Sequence, residues 1–333
     1  MKAYVVDTYQ KKGALRLADL PEPAVEANDV LVRVGATAVN LLDAKLRDGE
    51  FKLILPYPLP LILGHDVAGT VIKVGSGVRR FKIGDEVYAR PRDHRAGTFS
   101  ERIAIHEDDV ALKPRSLSME EAASLPLVAL TAWQALVDIA KVKPGQKVFI
   151  QAGSGGVGTV AIQLAKHLGA SVATTTSAAN IPLVRSLGAD VVIDYKTQDF
   201  EKVLSGYDVV LNSQDPKTLA KSLGILKPGG QLISISGPPD PAFAKRLGLN
   251  PFLRIVMRLL SRSVRKKARR LGVTYAFLFM RADGRELEKI AGLVEGGVLR
   301  PVVDKVFPFS QTPEALAYVE TGRAKGKVVI TLP

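Results

Sequence analysis

The sequence predicts an α/β fold in which a doubly wound parallel sheet is joined to a mostly-β domain. Residues 126–240 alternate short apolar runs with helical patterns, as a parallel sheet with crossover helices requires. Residues 1–110 instead carry short β-branched runs separated by Gly and Asp turns. Between an apolar run and an amphipathic helix lies a glycine-rich turn, residues 152–158. These three patterns place both domains in one chain of 333 residues.

The amino-terminal region reads as the mostly-β part. Its β-branched runs cover residues 30–34, 68–74, 86–89 and 100–105. Residues 51–63 are apolar but broken by three prolines, so we expect an irregular buried loop there. The chain has no cysteine, which excludes disulfides and thiolate zinc sites. No uninterrupted run of about 20 apolar residues exists and Met1–Val6 reads as a strand without a leader, so we expect a cytoplasmic protein.

The parallel part centres on the glycine turn. Its expected strands are residues 148–150, 171–175, 190–193, 208–211 and 231–236. Glycines let the backbone approach a pyrophosphate, and the helix that follows offers free N–H groups and a positive dipole end. The turn therefore predicts a dinucleotide site formed by Ala152, Gly153, Ser154, Gly155, Gly156, Val157 and Gly158. We expect Ser154 and Val157 to contribute only their backbone.

The residues after the second parallel strand favour NADPH. An NAD site usually has Asp or Glu about 20 residues beyond the first glycine, to bind the ribose 2′-hydroxyl. Here residues 174–177 are three threonines and a serine, with no carboxylate to repel a 2′-phosphate. The candidate contacts for this end of the cofactor are Thr176, Ser177, Asn180 and Tyr195.

Several short motifs, in a specific order, carry a resemblance to a known family. They are Gly64-His65-Asp66-Val67-Ala68-Gly69, Phe81-Lys82-Ile83-Gly84-Asp85-Glu86-Val87, Gly97-Thr98-Phe99-Ser100-Glu101, Leu130-Thr131-Ala132-Trp133 and Leu187-Gly188-Ala189-Asp190. With the glycine turn they resemble the medium-chain dehydrogenase/reductase superfamily, in its zinc-less quinone oxidoreductase branch. Residues 275–280, 307–310 and 326–327 are similar to the mitochondrial reticulon-interacting NADPH oxidoreductases, and the whole pattern to the zeta-crystallin-type quinone reductases.

The resemblance implies a domain plan and some site residues. A chaperonin-10-like catalytic domain would comprise residues 1–125 and 301–333, and a Rossmann NADP-binding domain residues 126–300, with a basic helical insert at 243–272. The active site would lie in the cleft between them. By resemblance, Asn40 and Thr131 lie near the nicotinamide, and Gly237 and Lys327 along the cofactor. Tyr57 is a candidate acid, or alternatively an aromatic that only fills the cleft.

Metal binding is the first alternative to weigh. His65 stands where zinc relatives have a ligand, and Asp43, Asp66, Asp93 and His94 could be imagined as its partners. Asn40 replaces the first cysteine ligand and is a poor zinc ligand. We therefore expect no metal and prefer a hydrogen-bonded histidine; Asp43 is equally well a cap or a site residue. Without a Lewis acid, alcohol oxidation becomes hard, whereas reduction of an electrophilic acceptor remains easy.

One departure from the family is a basic stretch at 245–270. It holds ten cations and no acid, and without these ten the net charge of +13 would be +3. The arginines at 254, 258, 262, 265 and 269 share one helical face, and apolar residues at 249, 253, 256, 260 and 264 another. Three interpretations remain open: a solvated face covering the Rossmann domain, docking at an anionic membrane surface, and binding of RNA or another acidic partner. Because aromatic side chains are sparse, nucleic acid is the least favoured.

The expected function is an NADPH-dependent, zinc-independent reductase that transfers hydride to a quinone or an α,β-unsaturated carbonyl. The alternative is a catalytically idle NADPH-binding protein that uses its basic helix to hold RNA, a membrane or an acidic partner. The apolar strand 275–280 suggests a homodimer edge. The expected location is cytoplasmic, with peripheral contact at a membrane if the basic stretch docks there.

Overall fold

The computed structural model describes residues 1–333 and divides into two compact units. The first comprises Met1–Leu130 and Arg281–Pro333, and the second comprises Thr131–Met280. The predicted boundaries at 125/126 and 300/301 differ from these mainly in residues 281–300. This segment groups with the first unit because its helix is held there: the buried Tyr88 hydroxyl donates to the Leu287 carbonyl at 2.6 Å.

Residues 1–112 are mostly β, as predicted for residues 1–110, and two helices follow up to residue 133. The elements are β1 (Lys2–Val6), β2 (Arg16–Asp19), β3 (Asp29–Val39), α1 (Leu41–Arg47), β4 (Leu61–Ile62), β5 (Asp66–Val74), β6 (Glu86–Ala89), β7 (Arg102–His106), β8 (Val110–Leu112), α2 (Met119–Ala123) and α3 (Pro126–Trp133). The long strand β3 organises them, because β5 and β7 both pair with it antiparallel. The expected loop 51–63 is irregular but not wholly buried, since Leu53 is 78% exposed and residues 61–62 pair with β1.

The second unit is the predicted doubly wound parallel sheet. After a π-helical segment at Gln134–Ile139, its elements are β9 (Lys147–Ile150), α4 (Gly156–His167), β10 (Ser171–Thr176), α5 (Ile181–Ser186), β11 (Val191–Asp194), α6 (Phe200–Val203), β12 (Tyr207–Asn212), α7 (Pro216–Ser222), β13 (Leu226–Ser234), α8 (Pro241–Arg246), α9 (Pro251–Leu260), α10 (Arg262–Arg270) and β14 (Thr274–Phe277). The strand order is β11-β10-β9-β12-β13-β14, and every pairing is parallel. The order reverses beside β9, which puts the glycine turn at the switch point where such sheets bind ligands.

The chain then returns to the first unit with α11 (Gly284–Glu295), β15 (Val303–Pro308), α12 (Thr312–Glu320) and β16 (Lys327–Thr331). Strand β16 pairs antiparallel with β3, so the last two strands of the chain join the sheet of order β15-β16-β3-β5-β6-β8. This pairing brings Lys327 next to Val39 and the start of α1.

The basic stretch is three helices rather than one. Helices α8 and α9 are separated by residues 247–250, and α9 and α10 meet at Ser261, whose φ and ψ are −87° and 0°. The expected apolar face at 249, 253, 256, 260 and 264 is half-buried except at Leu260, which is 57% exposed. None of the helices is both long enough and apolar enough to cross a bilayer.

Candidate functional site

The glycine turn connects the buried strand β9 to the N-terminus of α4. Ala152 adopts φ +50°, and the Gly153 N–H donates to the Thr175 carbonyl at 2.9 Å. Gly155 is the N-cap of α4 and brings no side chain to its free N–H groups. The N–H groups of the first helical turn, starting at Gly156 and Val157, have no acceptor within the helix. The turn therefore presents backbone donors and a positive dipole end to an anion.

The glycines of this turn do different work. A Cβ at Gly158 would lie 2.3 Å from the Ala152 carbonyl oxygen, and one at Gly153 would lie 2.2 Å from the Thr174 hydroxyl. Gly158 closes the turn against itself, and Gly153 lets the turn approach Thr174 on β10. A Cβ at Gly155 would meet only the Ala152 carbonyl, at 3.3 Å, so this side of the turn is open. An open, uncapped helix N-terminus fits the pyrophosphate of a dinucleotide.

The hydroxyl groups after β10 do not all face outward. Thr174 donates to the Ile150 carbonyl at 2.6 Å, and the Thr175 hydroxyl accepts from the Ala152 N–H at 3.1 Å, so both support the turn. Thr176 is also buried and donates to the Ser154 hydroxyl at 2.9 Å. Thr176 therefore orients Ser154, and its contact with a phosphate stays a prediction.

The remaining polar groups stay available at this edge. Asn180 donates to the Ser154 and Ser177 hydroxyls, at 3.3 Å each. Ser154 thus contributes its side chain to the loop as well as its backbone, unlike the sequence-based expectation. Neither Ser154 nor Ser177 is fully buried.

Strand β11 ends beside this cluster and adds a group that the sequence reasoning missed. Thr176 and Asp194 are partners in the parallel register, and the next residue, Tyr195, is 61% exposed. Lys196 follows and is exposed, while the Asp194 carboxylate accepts the Lys196 N–H at 3.1 Å. Lys196 is therefore the cation nearest in sequence to the predicted 2′-phosphate contacts. The signal for it was its place directly after a strand that neighbours β10.

A buried polar chain supports the neighbouring strand ends. Asn212 donates to Gln151 at 2.6 Å, and Ser234 donates to Asn212 at 2.7 Å. The Gly237 N–H in turn donates to the Ser234 hydroxyl at 2.8 Å. A Cβ at Gly237 would lie 2.7 Å from the Tyr275 hydroxyl and 2.8 Å from the Ser234 hydroxyl, so a larger residue would displace those side chains.

The first unit holds a separate buried cluster around Asn40. The Lys327 ammonium donates to the Asn40 side-chain oxygen at 2.5 Å and to the Asp66 carboxylate at 3.0 Å, with the Val39 carbonyl at 3.3 Å. A lysine has three N–H donors, and all three are used inside this cluster. Lys327 thus neutralises Asp66 and orients Asn40, and its position along the cofactor stays a prediction.

Asn40 is likewise committed within the cluster. Its amide N–H groups donate to the Asp66 carboxylate at 2.9 Å and to the Ala38 carbonyl at 3.3 Å. Because both side-chain donors are used, Asn40 has no N–H left to stabilise negative charge on a substrate. Asp66 also accepts the Leu127 N–H at 2.6 Å.

Asp43 and His65 form the adjoining pair. Their closest contact joins His65 Nδ1 and Asp43 Oδ1 at 2.6 Å, and both side chains are buried. Asp43 also accepts the Asn40 N–H at 2.7 Å, as the third helical residue of a capping box whose N-cap is Asn40. Of the two roles considered for Asp43, a cap or a site residue, the structure shows the capping role. His65 is the hydrogen-bonded histidine that the sequence favoured.

Tyr57 lies in the proline-broken loop with its ring beside His94, at a centroid distance of 5.4 Å. Its hydroxyl accepts the His94 N–H at 3.1 Å, so it is not simply hydrated. Burial raises the pKa of Tyr57 above its ordinary value of 10.0. The hydroxyl therefore stays protonated at neutral pH and keeps its own proton to donate.

Arg90 in the first unit has buried donors without a partner. Arg90 is 1% exposed and pairs with Asp93 at 2.6 Å, but its Nε and Nη1 have no hydrogen-bond partner. Such orphaned donors are rare in native proteins, and sequence reasoning did not single out Arg90.

Thr131 lies buried on α3 in the second unit. Across residues 1–333, no three His, Asp or Glu side chains are arranged to hold a metal ion.

Comparisons with known proteins agree with this architecture. Residues 26–115 match the family model of the alcohol dehydrogenase GroES-like domain, and residues 187–330 match that of the zinc-binding dehydrogenases. The chain is 37% identical over 341 residues to the chloroplastic NADPH-dependent alkenal/one oxidoreductase of Arabidopsis thaliana, covering 99% of this chain and 79% of that one. It is 37% identical over 356 residues to the mitochondrial NAD(P)H oxidoreductase RTN4IP1 of Homo sapiens, covering 100% and 89%. The quinone oxidoreductase from Coxiella burnetii has a similar structure, with a TM-score of 0.86 and 31% identity over 100% of this chain and 99% of that one.

Proposed function

Because the chain belongs to the medium-chain dehydrogenase/reductase superfamily, we propose that it is an NADPH-dependent reductase that transfers hydride to a quinone or an α,β-unsaturated carbonyl. The observation that carries the proposal is the open, uncapped N-terminus of α4 at Gly155, beside hydroxyl and amide groups rather than a carboxylate after β10. The names of the relatives, an alkenal/one oxidoreductase and a quinone oxidoreductase, support the acceptor class.

The second unit binds and orients the cofactor. The bound nicotinamide supplies the hydride, and the chain supplies position and charge. The first-turn N–H groups of α4 hold the pyrophosphate. Ser177, Asn180, Tyr195 and Lys196 bind the 2′-phosphate, because they combine neutral donors with one cation. Thr176 and Thr175 act behind them by fixing Ser154 and the turn.

The first unit supplies a proton donor. Hydride addition to an enone or quinone leaves negative charge on an oxygen, which a positioned donor stabilises. Both N–H groups of Asn40 are committed, whereas the Tyr57 hydroxyl accepts from His94 and still carries its proton. The raised pKa of Tyr57 keeps that proton in place at neutral pH. Tyr57 is therefore the proposed acid, and Asn40 is a positioning residue.

The proposed reaction needs no zinc. Asp66, one of the four side chains considered as zinc partners of His65, is paired with the Lys327 ammonium instead. His65 Nδ1 contacts Asp43. We expect elemental analysis of the purified protein to find no stoichiometric zinc, and chelators to leave turnover intact. One zinc per chain, lost together with activity, would contradict this part of the proposal.

Assembly as a homodimer and a cytoplasmic location are proposed alongside the reaction. Strand β14 is the last strand of its sheet and pairs only with β13, so its outer edge has unpaired backbone groups. A second copy could pair along that edge. Sedimentation equilibrium would test the dimer, and the mass of a single chain over the measured concentration range would contradict it.

Steady-state assays with NADPH and a panel of quinones and enals test the reaction. We expect turnover of at least one acceptor class, and Tyr57→Phe to lower kcat by about a hundredfold, with NADPH binding unchanged. Tyr318→Phe is the matched control, since its hydroxyl pairs with Asp304 and has no proposed chemical role. No turnover with any acceptor, despite NADPH binding, would favour the idle NADPH-binding protein. Full activity of Tyr57→Phe would assign the proton to water.

A further inference from the structure

Helix α9 turns an apolar arc toward solvent. Phe252, Ile255 and Leu259 are 72%, 57% and 59% exposed, and their spacing of three and four residues places them on one helical face. Single exposed apolar residues are ordinary, but three in one continuous stripe are a feature that needs an explanation.

The opposite, buried side of α9 attaches the helix to the rest of the second unit. Met257 is its only fully buried side chain, and the Ser261 hydroxyl donates to the Met257 carbonyl at 2.8 Å. Leu253 and Val256 are half-buried. The helix is thus anchored along one narrow side, while the apolar arc lies elsewhere on its circumference.

Exposed cations lie on both α9 and α10. Arg258 lies on α9 next to the arc and is exposed. On α10, four cations line one open depression: Arg262, Lys266, Arg269 and Arg270. Their spacing of four, seven and eight residues puts them on one helical face. None of these cations pairs with a carboxylate, and no Asp or Glu occurs between Asp240 and Asp283.

The combination excludes the simpler interpretations. A merely solvated face would be polar, whereas this one exposes three large apolar side chains. Single-stranded RNA needs stacking aromatics, and Phe252 is the only aromatic on α9 and α10. A second copy joined through the same face would bring its unpaired cations against these. Anionic lipid matches both parts, because acyl chains take the apolar arc and headgroups neutralise the cations.

We propose that α9 and α10 form a docking surface for an anionic lipid bilayer. Phe252, Ile255 and Leu259 enter the acyl boundary, while Arg262, Lys266 and Arg270 bind headgroup phosphates. Such docking would bring a reductase to lipophilic acceptors dissolved in the bilayer. That consequence rests on the proposed function, but the lipid binding itself does not.

Co-sedimentation of the full chain with vesicles tests the proposal. We expect no binding to phosphatidylcholine alone, and binding that rises with the fraction of phosphatidylglycerol and weakens with salt. Neutralising three cations, as R262Q/K266Q/R270Q, should lower the partition coefficient by about a hundredfold, since each cation near the surface contributes about a fivefold factor. Arg265 is left unchanged because it is tied to the helices, donating to the Ser261 hydroxyl at 3.1 Å.

The apolar arc is tested separately with F252S/I255S/L259S. We expect at least about a tenfold loss of partitioning, with the residual binding abolished by salt, because only the electrostatic part remains. Matched controls make the same chemical changes on the first unit. K11Q/K73Q/K82Q removes three exposed cations there, and L17S/I83S/L112S removes three apolar side chains that are 47%, 64% and 55% exposed. Both controls should bind vesicles like the unmodified protein.

Three outcomes would overturn the proposal. The unmodified protein could ignore anionic vesicles even at low salt. It could shift an RNA probe in a gel while ignoring vesicles, which would assign the cations to nucleic acid. Or the apolar variant could convert a dimer to a monomer without any vesicle binding by the parent, which would make this face a contact between copies. Turnover of a small water-soluble quinone, measured on the same variants, should stay unchanged. Vesicle binding is read without substrate, so failure of the reductase proposal would not affect it.

Discussion

The glycine turn of the second unit and the Lys327 cluster of the first unit are built in opposite ways. The turn and its helix occupy residues 151–167, contiguous in the chain, and the turn is held by hydrogen bonds within itself and to the next strand, 22 and 23 residues away. The cluster joins Lys327 to Asn40, which is 287 residues away in sequence, and to Asp66, 261 residues away. The first is a local backbone device, and the second is a buried charge arrangement that exists only when β16 pairs with β3.

This difference teaches where each site is vulnerable. The turn has no charged side chain, so substitutions in it should mainly weaken cofactor binding. The cluster buries a carboxylate and an ammonium, so substitutions in it should mainly lower the free energy of unfolding. The two regions can therefore be separated by measuring binding and stability on the same variants.

The largest effect is expected from Lys327→Met. Asp66 is 0% exposed, and removal of its ammonium partner would leave an uncompensated buried charge. We expect urea unfolding to show a loss of about 3–5 kcal/mol. The double variant with Asp66→Asn should recover much of it, because the charge is then gone. A loss under about 1 kcal/mol in the single variant would show that the cluster carries little stability.

The next effect concerns the open side of the turn. Gly155→Asp places a carboxylate at the N-terminus of α4, so we expect NADPH and NADH affinity to fall by about a hundredfold with stability retained. Gly158→Ala is the matched change on the closed side. Its Cβ would lie 2.3 Å from the Ala152 carbonyl oxygen, and it should lower stability as well as binding. Fluorescence titration and thermal unfolding compare the two. Equal stability losses would mean that the two glycines do the same work.

A smaller effect is expected at the 2′-phosphate. The unmodified protein should bind NADPH more tightly than NADH, and Lys196→Glu should weaken NADPH alone by about tenfold. Lys202→Glu on α6 is an exposed control with the same charge change. Equal or tighter NADH binding by the unmodified protein would remove the argument from the missing carboxylate after β10.

The smallest effect on stability is expected at Tyr88, which makes a long-range hydrogen bond between neutral groups. Tyr88 donates to the Leu287 carbonyl across 199 residues, and burial raises the pKa of Tyr88 above its ordinary value of 10.0. The folded state thus favours the neutral phenol. The contribution of Tyr88 to the free energy of unfolding is therefore present below pH 10 and is lost as the pH rises above 10. We expect Tyr88→Phe to cost about 1 kcal/mol at neutral pH and to flatten the alkaline loss. An unchanged alkaline slope would assign that loss to other groups.

The sequence by itself determined the features that repeat over short distances. Strand and helix periodicity predicted the parallel sheet, and the residues between β9 and α4 predicted the anion-binding turn, because both depend on neighbours in the chain. Motif order was enough to name the family.

Only the tertiary structure decided which groups meet across long separations. It committed Lys327 and both N–H groups of Asn40 to one buried cluster, and it assigned residues 281–300 to the first unit. It also exposed Phe252, Ile255 and Leu259 of α9, which lie outside the apolar stripe that periodicity had indicated. The physical reason is that a pattern reports which side of an element is apolar or charged, whereas only the folded chain determines what lies against that side.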